Sequence, residues 1–185
     1  MKTRALIIGF LFVIIVALMT APVSADTTGT TALTGNPTAY VVITVNPNTI
    51  PLTLTPGASA TDNTLDIHLT SNKACTVSVA DSTGRAGGDQ GYMGNFTASY
   101  EASPLNTKLA SPIQLVGTAS PPAGVTVSAL TPPISTAQTL FTGIAGLNNV
   151  NCNTNTFTQP VAYTDPVLPS GSSYKIDLTF TIAAS

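Results

Sequence analysis

The residues most able to carry chemistry in this sequence are two cysteines. Cys75 and Cys152 are the only cysteines and lie 77 positions apart. An even pair in an exported chain predicts a disulfide, and closing a loop of that length would remove about 4 to 5 kcal/mol of unfolded-chain entropy. Neither cysteine lies in a C-x-x-C pair or beside a base, so the sequence favours a structural bridge over a redox-active thiol.

Catalytic motifs are scarce. His68 is the single histidine and is expected to share a strand face with Asp66, a pair that would suit general-base catalysis if a nucleophile were near. The sequence has no G-x-S-x-G, H-E-x-x-H, phosphate-loop or dinucleotide-binding motif. Glycoside hydrolysis would depend on Glu101 and a few aspartates without any Trp to stack on a sugar. We therefore expect no enzyme activity, no catalytic residue and no cofactor.

A glycine-rich stretch, DSTGRAGGDQGYMGN, runs from residue 81 to residue 95. Asp81, Asp89 and backbone carbonyls could wrap a calcium ion, but the spacing of calcium-binding loops is missing, and the sequence predicts no metal site. Glycines here favour positive φ in a long hairpin connection. With Tyr92 and Met93 at its far end, the stretch is a candidate contact loop, although these two residues could equally lead into the next strand.

One glycosylation sequon follows that loop. Asn95, Phe96 and Thr97 form the N-x-T pattern, which can carry a glycan in exported chains of suitable hosts. A glycan on Asn95 would place the loop on the outside of the protein.

The N-terminus has the pattern of a secretory signal peptide. Lys2 and Arg4 precede the apolar run ALIIGFLFVIIVALMT, and PVSA closes it, so cleavage is expected after Ala25. The run is shorter than the roughly 20 residues of a spanning helix. An uncleaved anchor and a prepilin-type cleavage before Ala5 are the alternatives. The sequence thus predicts a secreted protein, extracellular or at the cell surface, that touches the membrane only through the segment 1–25 before cleavage.

Removal of residues 1–25 leaves 160 residues, enough for one domain with its own core. Residues 26–38 are polar and predict a flexible tail or linker. An alternative is that this segment, with Ala32 and Leu33 as apolar contacts, or the strand 39–45 itself, completes the sheet of another subunit. Residues 39–185 are expected to form the folded domain.

The charge of the expected mature chain excludes one class of partner. It holds four basic and eight acidic residues, for a formal charge near −4. Phosphate binding needs clustered Lys and Arg, so nucleic acid is not expected as a partner. The abundance of Thr, Ser and Asn is typical of an outward-facing β surface.

Apolar residues in the mature chain repeat with period two, and Pro, Gly and Asn separate short β-rich runs. Leu65, Ile67 and Leu69 fall on one face of such a run, with Asp66 and His68 on the other, which indicates one packed and one wet face. The predicted strands are 39–45, 50–55, 64–71, 75–81, 95–101, 112–118, 125–130, 138–144, 158–163 and 174–183. This number of strands predicts an all-β, antiparallel β-sandwich of immunoglobulin-like or jelly-roll type with one disulfide.

The stretch VITVNPNTIPLTLTPGASATDNTLDIHLTSNKACTVSVAD resembles the opening of many exported β-sandwich proteins, and KLASPIQLVG and SGSSYKIDLTFTI extend the likeness over most of residues 40–183. It is similar to WxL-domain surface proteins and more distantly to camelysin-like matrix-fibre proteins and archaeal bundling pilins. The W-x-L signature itself is absent, since the chain has no Trp. The resemblance implies a sandwich fold with cell-surface, adhesive or fibre-forming roles and no catalysis.

From these observations we expect a cell-surface or extracellular structural protein, with a self-assembling fibre or pilus-like subunit as one form of it. Its partners would be further copies of itself, or other cell-surface proteins and glycans. The alternative is a glycan- or protein-binding adhesion module.

Overall fold

The computed structural model describes residue 35 and residues 37–152 and 155–185. The chain divides into Met1–Pro37 and Thr38–Ser185, and the account below concerns the second unit. The predicted signal segment, residues 1–25, and most of the predicted tail, residues 26–38, lie outside the described residues. Within the described ranges, no helix has both the length and the apolar character needed to cross a membrane.

The described part of the chain is all-β, as the sequence predicted, with one short 3₁₀ helix at Gly87–Asp89. Its strands are β1 (Val41–Asn46), β2 (Ser59–Ser71), β3 (Cys75–Asp81), β4 (Gly94–Phe96), β5 (Gln114–Val116), β6 (Val125–Val127), β7 (Gln138–Gly143), β8 (Leu147–Asn151), β9 (Asn155–Pro160), β10 (Ser173–Lys175) and β11 (Leu178–Ala184).

The strands form two main sheets, and every strand pairing is antiparallel. Sheet 1 has the order β1-β2-β9-β5, with β8 also paired to β2, and sheet 2 has the order β11-β3-β7-β6. Strands β4 and β10 form a separate two-stranded ribbon. Buried residues of β2 in sheet 1 and of β3 and β7 in sheet 2 belong to one apolar cluster. This arrangement is consistent with a β-sandwich.

Period-two alternation explains why the two central strands lie where they do. In β2, Leu65, Ile67 and Leu69 are at most 2% exposed, and in β3 Val77 and Val79 are fully buried. The residues between them face outward and are only half-buried. Successive side chains of a strand point to opposite faces, so each strand contributes one apolar row to the space between the sheets.

The structure departs from the predicted strands in four places. The predicted strand 174–183 is two strands, β10 in the ribbon and β11 in sheet 2, because the chain leaves one sheet for the other at Ile176 and Asp177. Residues 50–55 form no strand, although their side chains alternate between exposed and half-buried; Pro51 has no N–H to donate, and Pro47 and Pro56 flank the run. The predicted strand 95–101 is reduced to β4, which pairs with β10 rather than with β3, so residues 81–95 do not connect a hairpin. Strand β8 was not predicted.

The buried ring of Phe141 provides a test of this core. It is fully buried in β7, opposite Val77 of β3 and Val127 of β6. We expect Phe141→Ala to lower the free energy of unfolding by about 3 to 5 kcal/mol, because it removes buried area and leaves a cavity. The control Val167→Ala, at a side chain that is 96% exposed, should change it by less than about 0.5 kcal/mol. Chemical denaturation measures both, and equal effects would contradict the assigned core.

Candidate functional site

The edges of the two sheets meet at one side of the domain. Strand β1 is the edge of sheet 1, β11 is the edge of sheet 2, and the two strands contact each other. Strand β1 ends where Asn46 pairs with Asp66, so residues 59–65 of β2 have β9 on one side and no strand, within the described ranges, on the other. We call the region formed by β1, residues 47–54 and residues 173–184 the open side.

The apolar core is incompletely covered along the open side. Among the residues that the structure describes, fourteen apolar residues pack against the buried cluster while remaining only half-buried, and eleven of them belong to this side. They are Val41, Ile43, Val45, Ile50, Leu52, Leu54, Tyr174, Ile176, Leu178, Phe180 and Ile182. The matching inward rows of β2 and β3 are buried. A partly exposed apolar surface of this kind is typical of an interaction site.

A groove of about 770 Å³ lies on the open side. Its lining comes from the end of β1 and the segment 47–54, from residues 173–180 around β10 and β11, and from four core residues, Leu65, Met93, Ile113 and Phe157. The only charged side chains among these are Lys175 and Asp177, which pair with each other at 3.4 Å and are about half exposed. The groove therefore suits an uncharged, apolar occupant.

The backbone beside the groove is also unpaired. Within the described ranges, residues 47–54 take part in no hydrogen bond, either of the backbone or of the side chains. Thr55 is the first residue after β1 to accept one, from the N–H of Ala58 at 3.1 Å. From residue 49 to residue 54 the side chains alternate between exposed and half-buried, as in a strand. The backbone carbonyls of the segment, and its N–H groups at positions other than the two prolines, are unpaired, and strand addition uses these features.

The two aspartates of the predicted contact loop hold the loop in place through hydrogen bonds. The Asp81 carboxylate accepts hydrogen bonds from Thr83, through its N–H at 2.8 Å and its hydroxyl at 2.6 Å, and from the N–H of Gly91 at 2.7 Å. It also faces the Arg85 guanidinium at 3.7 Å, and both side chains are nearly buried. These contacts occupy both oxygens of Asp81 with protein donors.

Asp89 fixes the second half of the loop to residues that follow it in the chain. One carboxylate oxygen lies 2.9 Å from the Nζ of Lys108, and the other accepts the N–H of Leu105 at 2.9 Å. The bond from Lys108 is the main reason that the pKa of Asp89 is lowered, against the opposing effect of burial. Asp81 and Asp89 thus do not converge on a common ion, and the described residues contain no group of three or more His, Cys, Asp or Glu that could hold a metal.

The two remaining loop residues differ in role. The Nζ of Lys108 lies 4.6 Å from the centroid of the Tyr92 ring, a cation–π contact that leaves the ring half-buried. Met93 is 8% exposed, belongs to the core and lines the groove. The structure thus places Met93 in the core rather than in an outward contact patch.

A buried polar cluster beside the loop was missed by the sequence interpretation. Arg85 is 5% exposed, its Nε donates to the Thr83 hydroxyl at 2.7 Å, and its Cζ lies 5.5 Å from the centre of the Tyr100 ring. Both Nη atoms and the Tyr100 hydroxyl lack a hydrogen bond within the described part of the chain. Burial, together with the Asp177 carboxylate, raises the pKa of Tyr100. A lone Arg in a glycine-rich stretch carries no sequence signal of burial.

The predicted disulfide is not present in the structure, in which Cys75 and Cys152 are free thiols. Both are buried in the same core cluster, Cys75 at the start of β3 and Cys152 directly after β8, where its N–H donates to Ile67 at 2.7 Å. Burial raises the pKa of Cys152 to about 11, and the nearby Cys75 thiol adds to the shift. The two sulfurs therefore approach from opposite sheets without a bond.

The predicted pair of His68 and Asp66 does not form. The His68 ring is half-buried on the outer face of β2, and its Nδ1 is 3.2 Å from the Asn149 side-chain oxygen.

The predicted glycosylation site, Asn95, is half-buried in β4 opposite Tyr174. Its side-chain oxygen is buried without a partner among the described residues. Glycosylation of Asn95 stays a prediction.

A scan against protein-family models, a search of curated proteins and a search of solved structures each find no match to this chain.

The ion pair of Asp89 gives a pH-dependent test. A lowered pKa means that Asp89 stabilises the fold at pH values above about 3.9, its ordinary value, and that this contribution is lost as the pH falls through the lowered pKa. We expect Asp89→Asn to lower the free energy of unfolding at pH 7 by about 1 to 3 kcal/mol. The difference from the unmodified protein should shrink in acid.

Urea unfolding between about pH 2 and pH 7 measures this difference across the titration of the carboxylate. The matched control is Asp66→Asn on the outer face of β2, which removes a carboxylate that makes no ion pair or hydrogen bond in the described ranges. A difference for Asp89→Asn that stays constant with pH would show that lost packing, and not charge, is responsible.

Proposed function

We propose that this protein is an extracellular or cell-surface structural subunit that assembles with copies of itself through the open side. The observation that carries the proposal is the half-exposed apolar surface of β1, segment 47–54 and β11. Unpaired strand edges next to such a surface are the usual route by which β proteins associate. The low charge of the groove lining fits a partner with few charged and many apolar residues, and this chain has 8% charged and 43% hydrophobic residues.

Export is the second part of the proposal and is supported by the sequence of residues 1–25, which has the order of basic, apolar and small residues found in signal peptides. A self-assembling fibre or pilus-like subunit is the form of structural protein that the open side favours. For the finer fold type we propose an immunoglobulin-like or jelly-roll sandwich, in line with the resemblance to exported β-sandwich proteins.

We also propose that the secreted protein carries a Cys75–Cys152 disulfide between the sheets. Both thiols are buried, and at a pKa of about 11 the Cys152 thiolate is scarce at neutral pH. Because the thiolate is the reactive species, the bridge should form during folding in an oxidising compartment, before the core closes.

The disulfide has a direct test. Refolding with oxidised glutathione should give a product lighter by two hydrogen atoms that is more stable than the reduced protein by up to about 4 to 5 kcal/mol. The same oxidant added to the folded, reduced protein should react slowly. Mass spectrometry and denaturation measure these outcomes, with the double variant Cys75→Ala/Cys152→Ala as the control that should not respond. Free thiols in the secreted, folded protein would rule the bridge out.

Assembly is tested on the full chain, expressed with its own N-terminus in a host that exports it. Light scattering after size exclusion and negative-stain microscopy should show multimers or filaments, and the mass of the product identifies the cleavage position. A strictly monomeric product would contradict the proposed function and favour the alternative, a module that binds glycans or other proteins.

A pair of neighbouring substitutions tests the surface itself. Leu52 is half-buried and lines the groove, whereas Thr53 beside it is exposed and does not. Leu52→Glu should abolish assembly, since it places a charge on the apolar surface, and Thr53→Glu should leave assembly intact. Thermal unfolding of each monomer checks that the domain still folds. Equal assembly of both variants would show that the groove is not the contact surface.

A further inference from the structure

We propose that subunits of this protein join by exchanging β1, so that Val41–Asn46 of one copy pairs with β2 of the next. This inference rests on the proposed self-assembly and names the strand that carries it. The partner is therefore a second copy of this chain, and the acceptor is the place on β2 that the copy's own β1 would otherwise fill.

Strand β1 is hydrogen-bonded to its own domain along one edge only. It pairs with β2 over six residues, from Val41 opposite Ser71 to Asn46 opposite Asp66, and with no other strand of the described ranges. Its N-terminal end is fixed to the turn after β2, where Tyr40 donates its N–H to the Asn72 side chain at 2.7 Å. All of these hydrogen bonds are made to β2 and the turn that follows it, and β1 also contacts β11. A second copy has the same β2, turn and β11, so it can supply each of these contacts.

The segment after β1 has the properties of a hinge. Residues 47–54 form no hydrogen bond within the described ranges, so releasing them from the groove breaks none. Fully extended, eight residues span about 26 Å at ~3.3 Å per residue, well beyond the ~10 Å between packed sheets. The segment can thus carry β1 away from its own sheet to a neighbouring molecule.

Exchange recreates the interactions of β1 that it breaks. The inward side chains Val41, Ile43 and Val45 are half-buried against the core cluster, and each copy presents the same β2 surface to them. The free-energy difference between the monomer, in which β1 pairs with its own β2, and the exchanged assembly then comes from the hinge and from the lost translational and rotational entropy. Strand swapping is therefore a low-cost route to association. Where the geometry does not close into a dimer, the same contact repeats and forms a fibre.

Two other candidate strands are less suited to donation. Residues 26–38 provide only Ala32 and Leu33 as apolar side chains, whereas β1 has an apolar row of three. Strand β11 pairs with β3 over seven residues and is fixed at both ends, by the N–H of Ser82 on the carbonyl of Asp177 and by the N–H of Ser185 on that of Ala74.

The test introduces a cysteine pair across β1 and β2, Val42→Cys/Thr70→Cys. These residues are directly paired on the outer face, and paired Cα atoms lie about 4.5 to 5.5 Å apart, which suits a disulfide. The full-length variant is assembled under reducing conditions, then oxidised and run on a non-reducing gel. Exchange predicts disulfides between chains and a ladder of covalent multimers. Disulfides within single chains in assembled material would overturn the exchange and leave the proposed function intact.

The matched control is Thr76→Cys/Ala183→Cys, a directly paired position across β3 and β11. It should cross-link only within chains, because those strands stay together. Oxidising the Val42→Cys/Thr70→Cys variant as a dilute monomer should lock β1 to its own β2 and abolish assembly until a reductant is added, with the unmodified protein under the same reductant for comparison. Assembly by the locked monomer would overturn the exchange, and absence of assembly in every sample would overturn the proposed function with it.

Discussion

The fold of this protein depends on one apolar layer shared by two sheets. Strand β2 provides Leu65, Ile67 and Leu69 from sheet 1, and β3 provides Val77 and Val79 from sheet 2, all nearly or fully buried. Neither sheet could bury this face alone, because an antiparallel sheet in water needs a cover for its apolar side. The remaining strands of the two sheets flank β2 and β3. The core is therefore fully covered at the centre, and its coverage elsewhere depends on the edge strands.

The prolines after β1 set a limit on that coverage. Pro47 and Pro51 remove two backbone donors from a run whose side chains otherwise alternate like those of a strand, and the chain crosses the edge of the sandwich without joining a sheet. The apolar groove and the short edge strand β1 are both consequences of this interruption. In a monomeric protein such an edge is usually blocked by a charged side chain or a bulge, whereas the two charged side chains among the described residues that line this groove pair with each other. A single local feature thus accounts for the surface on which the proposed assembly depends.

Charge has a different use in the glycine-rich region. Asp81 and Asp89 each fasten a stretch of irregular chain by accepting backbone N–H groups, and each has a basic partner, Arg85 or Lys108. Carboxylates are efficient in this role because both oxygens accept charge-assisted hydrogen bonds. The scarcity of charged residues in the chain makes these pairs conspicuous, and the structure uses them to hold a long connection in place rather than to bind an ion.

The sequence was enough to predict the all-β fold class and the strands with the cleanest alternation, since the period-two pattern and the turn residues are local properties of the chain. It was correct for β3 to the residue and placed β1 and β7 within two residues. It was wrong for residues 50–55 because strand formation there depended on a partner and not on side-chain pattern. The sequence also identified the two cysteines and the acidic loop residues as candidates, but it did not show which residues surround them.

Tertiary packing sets which strand edges stay open, which loop carboxylates have basic partners, and the burial of both cysteines in one core. Apart from the pair of Asp81 with Arg85, these features are made by residues well separated in sequence, such as Asp89 with Lys108, or Cys75 with Cys152, and no local pattern encodes such pairings because each depends on how the chain packs.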